Sequence, residues 1–394
     1  MKNCSQTIGL PLALLLFSLA FTGPAHAQET LHANDATPAA LEKGMEQYRL
    51  QHLQEKLFVH TDKEFYLAGE ICWFKLYNVD ASFHHPVDIS KVAYLEWLDK
   101  NNKPVLQAKV GLRRGHGDGS LYLPMTLRSG NYKLRAYTNW MKNYGADWFF
   151  EKTITVVNAR KSAEVPVAES PLQYDLVQNP EGGNLVENMA CKIAFKATDQ
   201  YGRGVECTGM VTEDDEDTIV RFRPLRFGIG SFVLTPRPGH RYRSTIRLAD
   251  GTAISKLLPV AYKEGTVMHV SREGNDRIRV DIQSTVTSES ASGDSKVYLI
   301  AHTRQSVKLA DAATLREGKA SFLINRSSLG EGISHLTVFN GAKQPVCERL
   351  VFTYPSHRLK VTMNTDQDSY ATRKKINLQV RSAGSDNKSA GADD

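Results

Sequence analysis

From Leu57 to Arg381 apolar side chains recur mainly at every second position, the spacing of half-buried β-strands. Seven short runs fill the stretch to Asn158: Leu57–His60, Glu70–Val79, Lys91–Asp99, Pro104–Leu112, Gly119–Leu123, Asn131–Thr138 and Trp148–Val157. In Asn131–Thr138, Tyr132, Leu134 and Ala136 share one face, with Lys133, Arg135 and Tyr137 on the other. Turn signals punctuate the runs at Leu67-Ala68-Gly69, Asn101-Asn102, Gly115–Gly119 and Ser129-Gly130. Seven strands in about 100 residues is the rhythm of a β-sandwich. No long helices alternate with them, which disfavours a parallel α/β sheet.

The rhythm restarts twice. After a linker containing Glu164-Val165-Pro166 and Ser170-Pro171, a second set runs from Tyr174 to about Ala261. It includes Ala190–Thr198, Cys207–Thr212, Thr218–Phe222, Ile229–Leu234 and Arg241–Leu248. A third set, from Gly265 to Tyr354, includes Arg277–Gln283, Lys296–His302, Ala320–Ile324, Ile333–Asn340 and Arg349–Phe352, with a polar loop at Ser284–Ser295. The expected fold class is all-β: tandem antiparallel sandwiches over 57–158, 165–262 and 265–356. Trp73, Trp97, Leu134, Phe195, Phe232, Leu299 and Phe352 are the expected core anchors. Ahead of them, in segment 28–56, Thr37 suits an N-cap and Pro38 a first helical position, while Leu41, Met45, Tyr48 and His52 line one face. This short helix over Pro38–Gln54 is expected to pack on the first sandwich or to act as a spacer.

An internal echo ties the sets together. Thr61-Asp62-Lys63-x-x-Tyr66 returns as Thr365-Asp366-Gln367-x-x-Tyr370, 304 residues later, and each copy precedes a period-2 strand. That offset equals three sandwiches of about 100 residues. Residues 357–394 therefore read as an incomplete fourth sandwich, cut short, ending in a Ser-, Gly- and Asp-rich tail too polar to order itself.

The N-terminus adds a compartment. Lys2 is the only charge in the first 27 residues, Leu10–Phe21 is apolar, and Ala25-His26-Ala27 offers small residues for cleavage. This is the layout of a secretory signal peptide over 1–27, with a mature chain from Gln28. The apolar run falls short of the roughly 20 residues that span a bilayer, so the mature chain is expected in the periplasm, at the outer membrane or secreted, without a transmembrane span. Cys72, Cys191, Cys207 and Cys347 remain, too few for a disulfide scaffold. If Ala190–Thr198 and Val205–Thr212 formed a hairpin about Asp199–Gly204, Cys191 would sit roughly 16 Å out of register from Cys207. Buried thiols are the expectation, with another strand pairing left open. The 49 basic and 43 acidic residues give +6, too mild for a dedicated nucleic-acid binder.

Three stretches carry a family likeness. Leu57–Val79, with Thr-Asp-Lys, Tyr66 and Gly69-Glu70 ahead of a long strand, resembles the opening of a macroglobulin domain. Asn179-Pro180-Glu181-Gly182-Gly183 leading to Lys192–Asp199 and Thr235-Pro236, and Leu329–Ile333 through Glu348–Phe352, resemble large exported macroglobulin-type proteins of Bacteroidetes. The resemblance implies a fibronectin-like sandwich string. In that group such segments often precede a TonB-dependent-receptor plug domain or neighbour carboxypeptidase-regulatory-like sandwiches. A thioester macroglobulin carries Cys-Gly-Glu-Gln. Here the four cysteines are followed by Trp73, Lys192, Thr208 and Glu348, so none can form that thioester.

Local chemistry is sparse. Gly115-His116-Gly117-Asp118-Gly119 precedes a strand rather than a helix, so it reads as a hairpin turn and not a phosphate loop. Asp214-Asp215-Glu216-Asp217 lacks EF-hand spacing and reads as a solvated acidic turn. His84-His85 has no third ligand at metal-binding spacing. Nucleophile-elbow, His-Glu-x-x-His and Cys-x-x-Cys motifs are absent from the sequence. The expectation is no enzyme, no metal and no cofactor. Arg221, Arg223, Arg226, Arg241, Arg243 and Arg247 form the densest basic region, interleaved with Phe222 and Tyr242, and are the candidate contacts for an anionic ligand such as a polysaccharide; a plain charged outer face is the competing reading. The expected function is a non-enzymatic cell-envelope interaction or scaffold protein with a protein partner and no nucleic acid, probed against two alternatives: a macroglobulin-type endopeptidase inhibitor without thioester, or a glycan-binding module.

Overall fold

The computed structural model describes residues 38–161, 173–285, 296–356 and 358–384. The leader, the 162–172 part of the first linker and residues 286–295 of the polar loop lie outside the described residues. Among those described, no helix is long and apolar enough to cross a membrane. The fold is all-β, a series of antiparallel sandwiches.

The first sandwich comprises β1 (Glu55–Thr61), β2 (Phe65–Leu67), β3 (Ile71–Asp80), β4 (Val92–Leu98), β5 (Pro104–Gly111), β6 (His116–Tyr122), β7 (Gly130–Thr138) and β8 (Phe150–Val157). One sheet has the order β1-β3-β6 and the other β2-β8-β7-β4-β5. Short β2 runs parallel to β8; the remaining pairs are antiparallel. Leu57, Cys72 and Leu76 of the small sheet face Trp97, Leu134 and Ile154 of the large one. Because Cys72, Phe74 and Leu76 point inward along β3, the pleat turns Trp73 outward, where it is 58% exposed. It is not the expected core residue. Of the glycine run, only Gly115 lies in the turn, at φ +75; Gly117 and Gly119 belong to β6, where a Cβ on Gly119 would meet the Phe74 ring at 2.9 Å.

The second sandwich comprises β9 (Tyr174–Pro180), β10 (Cys191–Asp199), β11 (Cys207–Glu213), β12 (Asp217–Phe222), β13 (Ile229–Leu234), β14 (Tyr242–Leu248) and β15 (Ala253–Leu257). Its sheets run β13-β10-β9 and β12-β11-β14-β15. The supposed hairpin of β10 with β11 does not form. The turn at Asp199 begins one, through Asp199 N–H to Arg203 O at 2.9 Å, but the chain then crosses to the opposite sheet. Cys191 and Cys207 end in one core as free, buried thiols, as are Cys72 and Cys347.

The third sandwich comprises β16 (Thr266–Glu273), β17 (Arg277–Ser284), β18 (Lys296–Thr303), β19 (Ser306–Thr314), β20 (Lys319–Asn325), β21 (Gly332–Phe339) and β22 (Pro345–Thr353), in sheets β16-β17-β20 and β19-β18-β21-β22. Phe352 departs from expectation. It lies on an edge strand opposite exposed Ile333 and packs edge-on against Tyr354 at 5.0 Å, half-exposed. Helix α1 (Pro38–Gln51) lies along β19 of this sandwich rather than serving as a free spacer. The segment after it joins two bodies: Gln305 donates to Gln54 at 2.7 Å, while Trp140 and Tyr144 of the first sandwich donate to the Leu53 carbonyl at 2.7 and 3.0 Å.

Finally, among the described residues β23 (Lys360–Thr365) and β24 (Leu378–Ala383) pair only with each other. The sequence echo is a hydrogen-bond motif. Lys63 N–H donates to the Tyr66 hydroxyl (3.1 Å), which donates to Asp62 (2.6 Å), and Asp62 also accepts from Trp73 N–H (2.9 Å). Gln367, Tyr370, Asp366 and Asn377 repeat every one of those bonds. The packing is not repeated, since Val361, Met363, Leu378 and Val380 are exposed where their counterparts Leu57, Val59, Phe74 and Leu76 are buried.

Candidate functional site: the cleft between the second and third sandwiches

Strand β9 ends at Pro180, and the chain turns through Glu181-Gly182-Gly183, both glycines at positive φ. Gly182 touches the third sandwich so closely that a Cβ there would lie 3.1 Å from Met268 Cβ. Its carbonyl accepts from Glu348 N–H. Glu181 is thereby buried at the joint. Its carboxylate accepts from Arg349 Nε at 3.0 Å, lies 2.9 Å from His269 Nδ1 and accepts from Val270 N–H at 3.4 Å. A buried carboxylate held by two charged or polar side chains and a backbone donor is satisfied only while both sandwiches stay in register. Beside it, the Cys347 thiol donates to Thr266 O at 3.1 Å, and burial pushes its pKa up to about 12, which leaves it unreactive as a nucleophile.

This joint walls a cleft of about 480 Å³ on the outer face of sheet β16-β17-β20. Alternation along β17 and β20 aims Arg279, Asp281, Gln283, Lys319 and Ser321 into it, beside Val267 and His269 of β16. Lys192 enters from the second sandwich. Arg316 and Lys319 flank a two-residue turn whose central Glu317 and Gly318 both have positive φ, the geometry of a tight hairpin. Arg279 is neutralised by Asp281 at 3.0 Å and Glu273 at 3.4 Å. Lys192, Arg316 and Lys319 form no ion pair among the described residues. The arrangement suits an anionic ligand, whose charge would meet three cations that have no ion pair among the described residues.

The six candidate arginines are dispersed by comparison. Arg221, Arg243 and Arg247 share the outer face of sheet β12-β11-β14-β15, with β11 between them. Arg243 is tied to Asp215. Arg241 sits just before β14, its N–H donating to Asp214 at 2.9 Å. Arg223 and Arg226 leave β12 in the connection to β13, which belongs to the opposite sheet. Phe222 and Tyr242 point into the core, so neither ring interleaves with the arginines. The acidic turn is spent locally: Asp214 holds His240 and Arg241, and Glu213 accepts from the Tyr242 hydroxyl at 2.7 Å and Arg237 Nε at 2.9 Å. Among the described residues no group of His, Cys, Asp and Glu is placed to hold a metal. Sequence reasoning singled out Asn179–Gly183 but not the role of Glu181. Its signal was present, an acid followed by two glycines between apolar runs, but its partners lie 88 and 168 residues away.

No protein-family model matches the chain, and no curated protein matches it. Among solved structures, a Salmonella alpha-2-macroglobulin mutant aligns at 12% identity and a TM-score of 0.23, over 84% of this chain and 25% of that one. Trypsin-activated alpha-2-macroglobulin from Escherichia coli aligns at 13% and 0.23, over 82% and 26%. The BSP domain of a biofilm-associated protein aligns at 11% and 0.26, over 76% and 66%. This chain spans about a quarter of the length of those macroglobulins. At such identities and TM-scores the likenesses establish neither family nor function.

Proposed function

We propose that this protein is a non-enzymatic interaction and scaffold protein of the cell envelope, exported by its N-terminal leader, which docks an acidic partner of an outer-membrane uptake or surface system. One observation carries the reading: a recess with three cations, Lys192, Arg316 and Lys319, unpaired among the described residues and built at a joint that a buried Glu181 holds in register. The recess gathers charge without an activated nucleophile, since His269 is committed to Glu181 and the Cys347 thiol is buried. The association with a TonB-dependent system rests on the macroglobulin-type sequence resemblance. Tagged mature protein should retain an outer-membrane protein from a solubilised envelope fraction, identified by mass spectrometry. Lys192→Glu with Lys319→Glu should abolish that retention without shifting the unfolding midpoint. Retention unchanged by the double substitution would remove the cleft from the reading.

A further inference from the structure

The outer face of sheet β1-β3-β6 offers a second surface, and it shares no residue with the cationic cleft. Alternation along the strands turns Phe58 and His60 of β1, Trp73, Lys75 and Tyr77 of β3, and Asp118 of β6 to this side. Cross-strand register sorts them into rows. Phe58 pairs with Tyr77, His60 with Lys75, and Lys75 with Asp118, while Trp73 lies opposite Ser120 and Ile71 opposite Tyr122. An ionisable row therefore runs between two aromatic ones. Trp73, Phe58 and Tyr122 are all more than half exposed. A shallow cleft of about 370 Å³ opens among His60, Asp62, Trp73, Lys75, Tyr77 and Asp118.

Three physical features restrict what fits there. An exposed indole and two further open rings stand on a solvated sheet on either side of the ionisable row, and rings with polar neighbours suit a contact surface. Trp73 and Tyr77 lie four residues apart on one strand, about 13 Å, so two rings can stack on separate units of one extended ligand. Between them His60, Lys75, Asp118 and Ser120 carry no side-chain hydrogen bond or ion pair among the described residues, the Lys75 ammonium resting only over the Tyr77 ring at 5.4 Å. A protein interface depletes its centre of charge, and an anionic surface would be repelled by Asp118. A ligand bearing many hydroxyls satisfies both signs, because each hydroxyl donates and accepts, while the C–H faces of its rings stack on Trp73 and Tyr77. The sheet supplies rigid placement, with Asp62 fixing Trp73 N–H at 2.9 Å.

We infer that this face of the first sandwich binds a neutral oligosaccharide, with Trp73 and Tyr77 as stacking platforms and Asp118, Lys75 and His60 as hydroxyl partners. The test uses the mature full chain on a printed array of neutral glycans, followed by titration with the best soluble hexasaccharide. All four tryptophans belong to the first sandwich, so a fluorescence change that is lost in Trp73→Ala reports binding at this face. Binding to at least one neutral glycan is expected, with Trp73→Ala and Asp118→Asn each weakening it about tenfold or more. Trp148→Ala, which removes another exposed indole outside the strands of this sheet, should leave affinity unchanged. Equal unfolding midpoints for the variants would exclude misfolding as the cause. The inference is overturned if no neutral glycan binds, if Trp148→Ala weakens binding as much as Trp73→Ala, or if Trp73→Ala instead converts a dimer to a monomer.

Discussion

Tyr66 and Tyr370 make the same hydrogen bonds in opposite surroundings, which turns them into a matched pair of probes. Tyr66 is fully buried, and its hydroxyl satisfies both Lys63 N–H and Asp62. Tyr66→Phe should therefore destabilise the first sandwich by about 0.5–1.5 kcal/mol, the net worth of a hydrogen bond whose partners Asp62 and Lys63 can turn to water. Tyr370→Phe should leave the tryptophan-monitored urea transition where it is, since Tyr370 belongs to a hairpin paired only with itself. At the same scale His302 is a pH probe. It stacks on His335 at 4.6 Å, and burial, with that neighbouring imidazole, depresses its pKa to about 4; Glu348, bonded to His335, acts in the opposite direction. The unfolded histidine binds its proton near 6.5. The folded third sandwich thus takes up that proton later than the unfolded chain, and it should lose stability as pH falls from about 6.5 to about 4, with no effect of this group above. His302→Phe keeps a ring in the stack and should flatten that part of the profile in urea titrations at successive pH values.

Along each strand the pleat decides which substitutions matter. Trp97 of β4 lies against Tyr66 and Tyr132 in the first core, whereas Trp73 of β3 stands outside it. Trp97→Ala should cost about 3–5 kcal/mol in the tryptophan-monitored transition. Trp73→Ala should stay within about 0.5 kcal/mol of the parent. Equal costs would mean that the phase of β3 is other than described. The same alternation explains why the arginine-rich strands β12 and β14 present no aromatic surface: Phe222 and Tyr242 take the inward positions that their spacing demands.

For the whole molecule, the joint at Glu181 couples the second sandwich to the third. Removing its carboxylate with Glu181→Ala strips Arg349 and His269 of their partner, although both remain partly solvated. A loss of roughly 1–3 kcal/mol in the coupling of the two sandwiches is expected, less than for a fully buried pair. Limited proteolysis should then cut near residues 262–265 sooner than in the parent protein, with the individual sandwiches still resistant. The segment between the helix and β1 ties the first sandwich to the third, through Gln54 to Gln305, and this contact is independent of Glu181.

Much of the fold was legible because alternation is local: each strand's own residues state that it has a wet face and a dry one. Tyr132, Leu134 and Ala136 fell on one face in sequence, and Leu134 and Ala136 are in the first core. The Thr-Asp-x-x-x-Tyr echo was legible for the same reason, since its bonds close within eleven residues. Three features were decided only by the tertiary structure. The neighbour a strand takes is non-local, so β10 and β11 entered opposite sheets despite a good turn between them. The phase of a strand with apolar residues on both faces, such as Ile71–Tyr77, depends on what it packs against, which put Trp73 in water. The cationic cleft and its glutamate joint unite side chains from residues 181 to 349, and Coulomb attraction and burial act on spatial distance, which one-dimensional spacing does not encode.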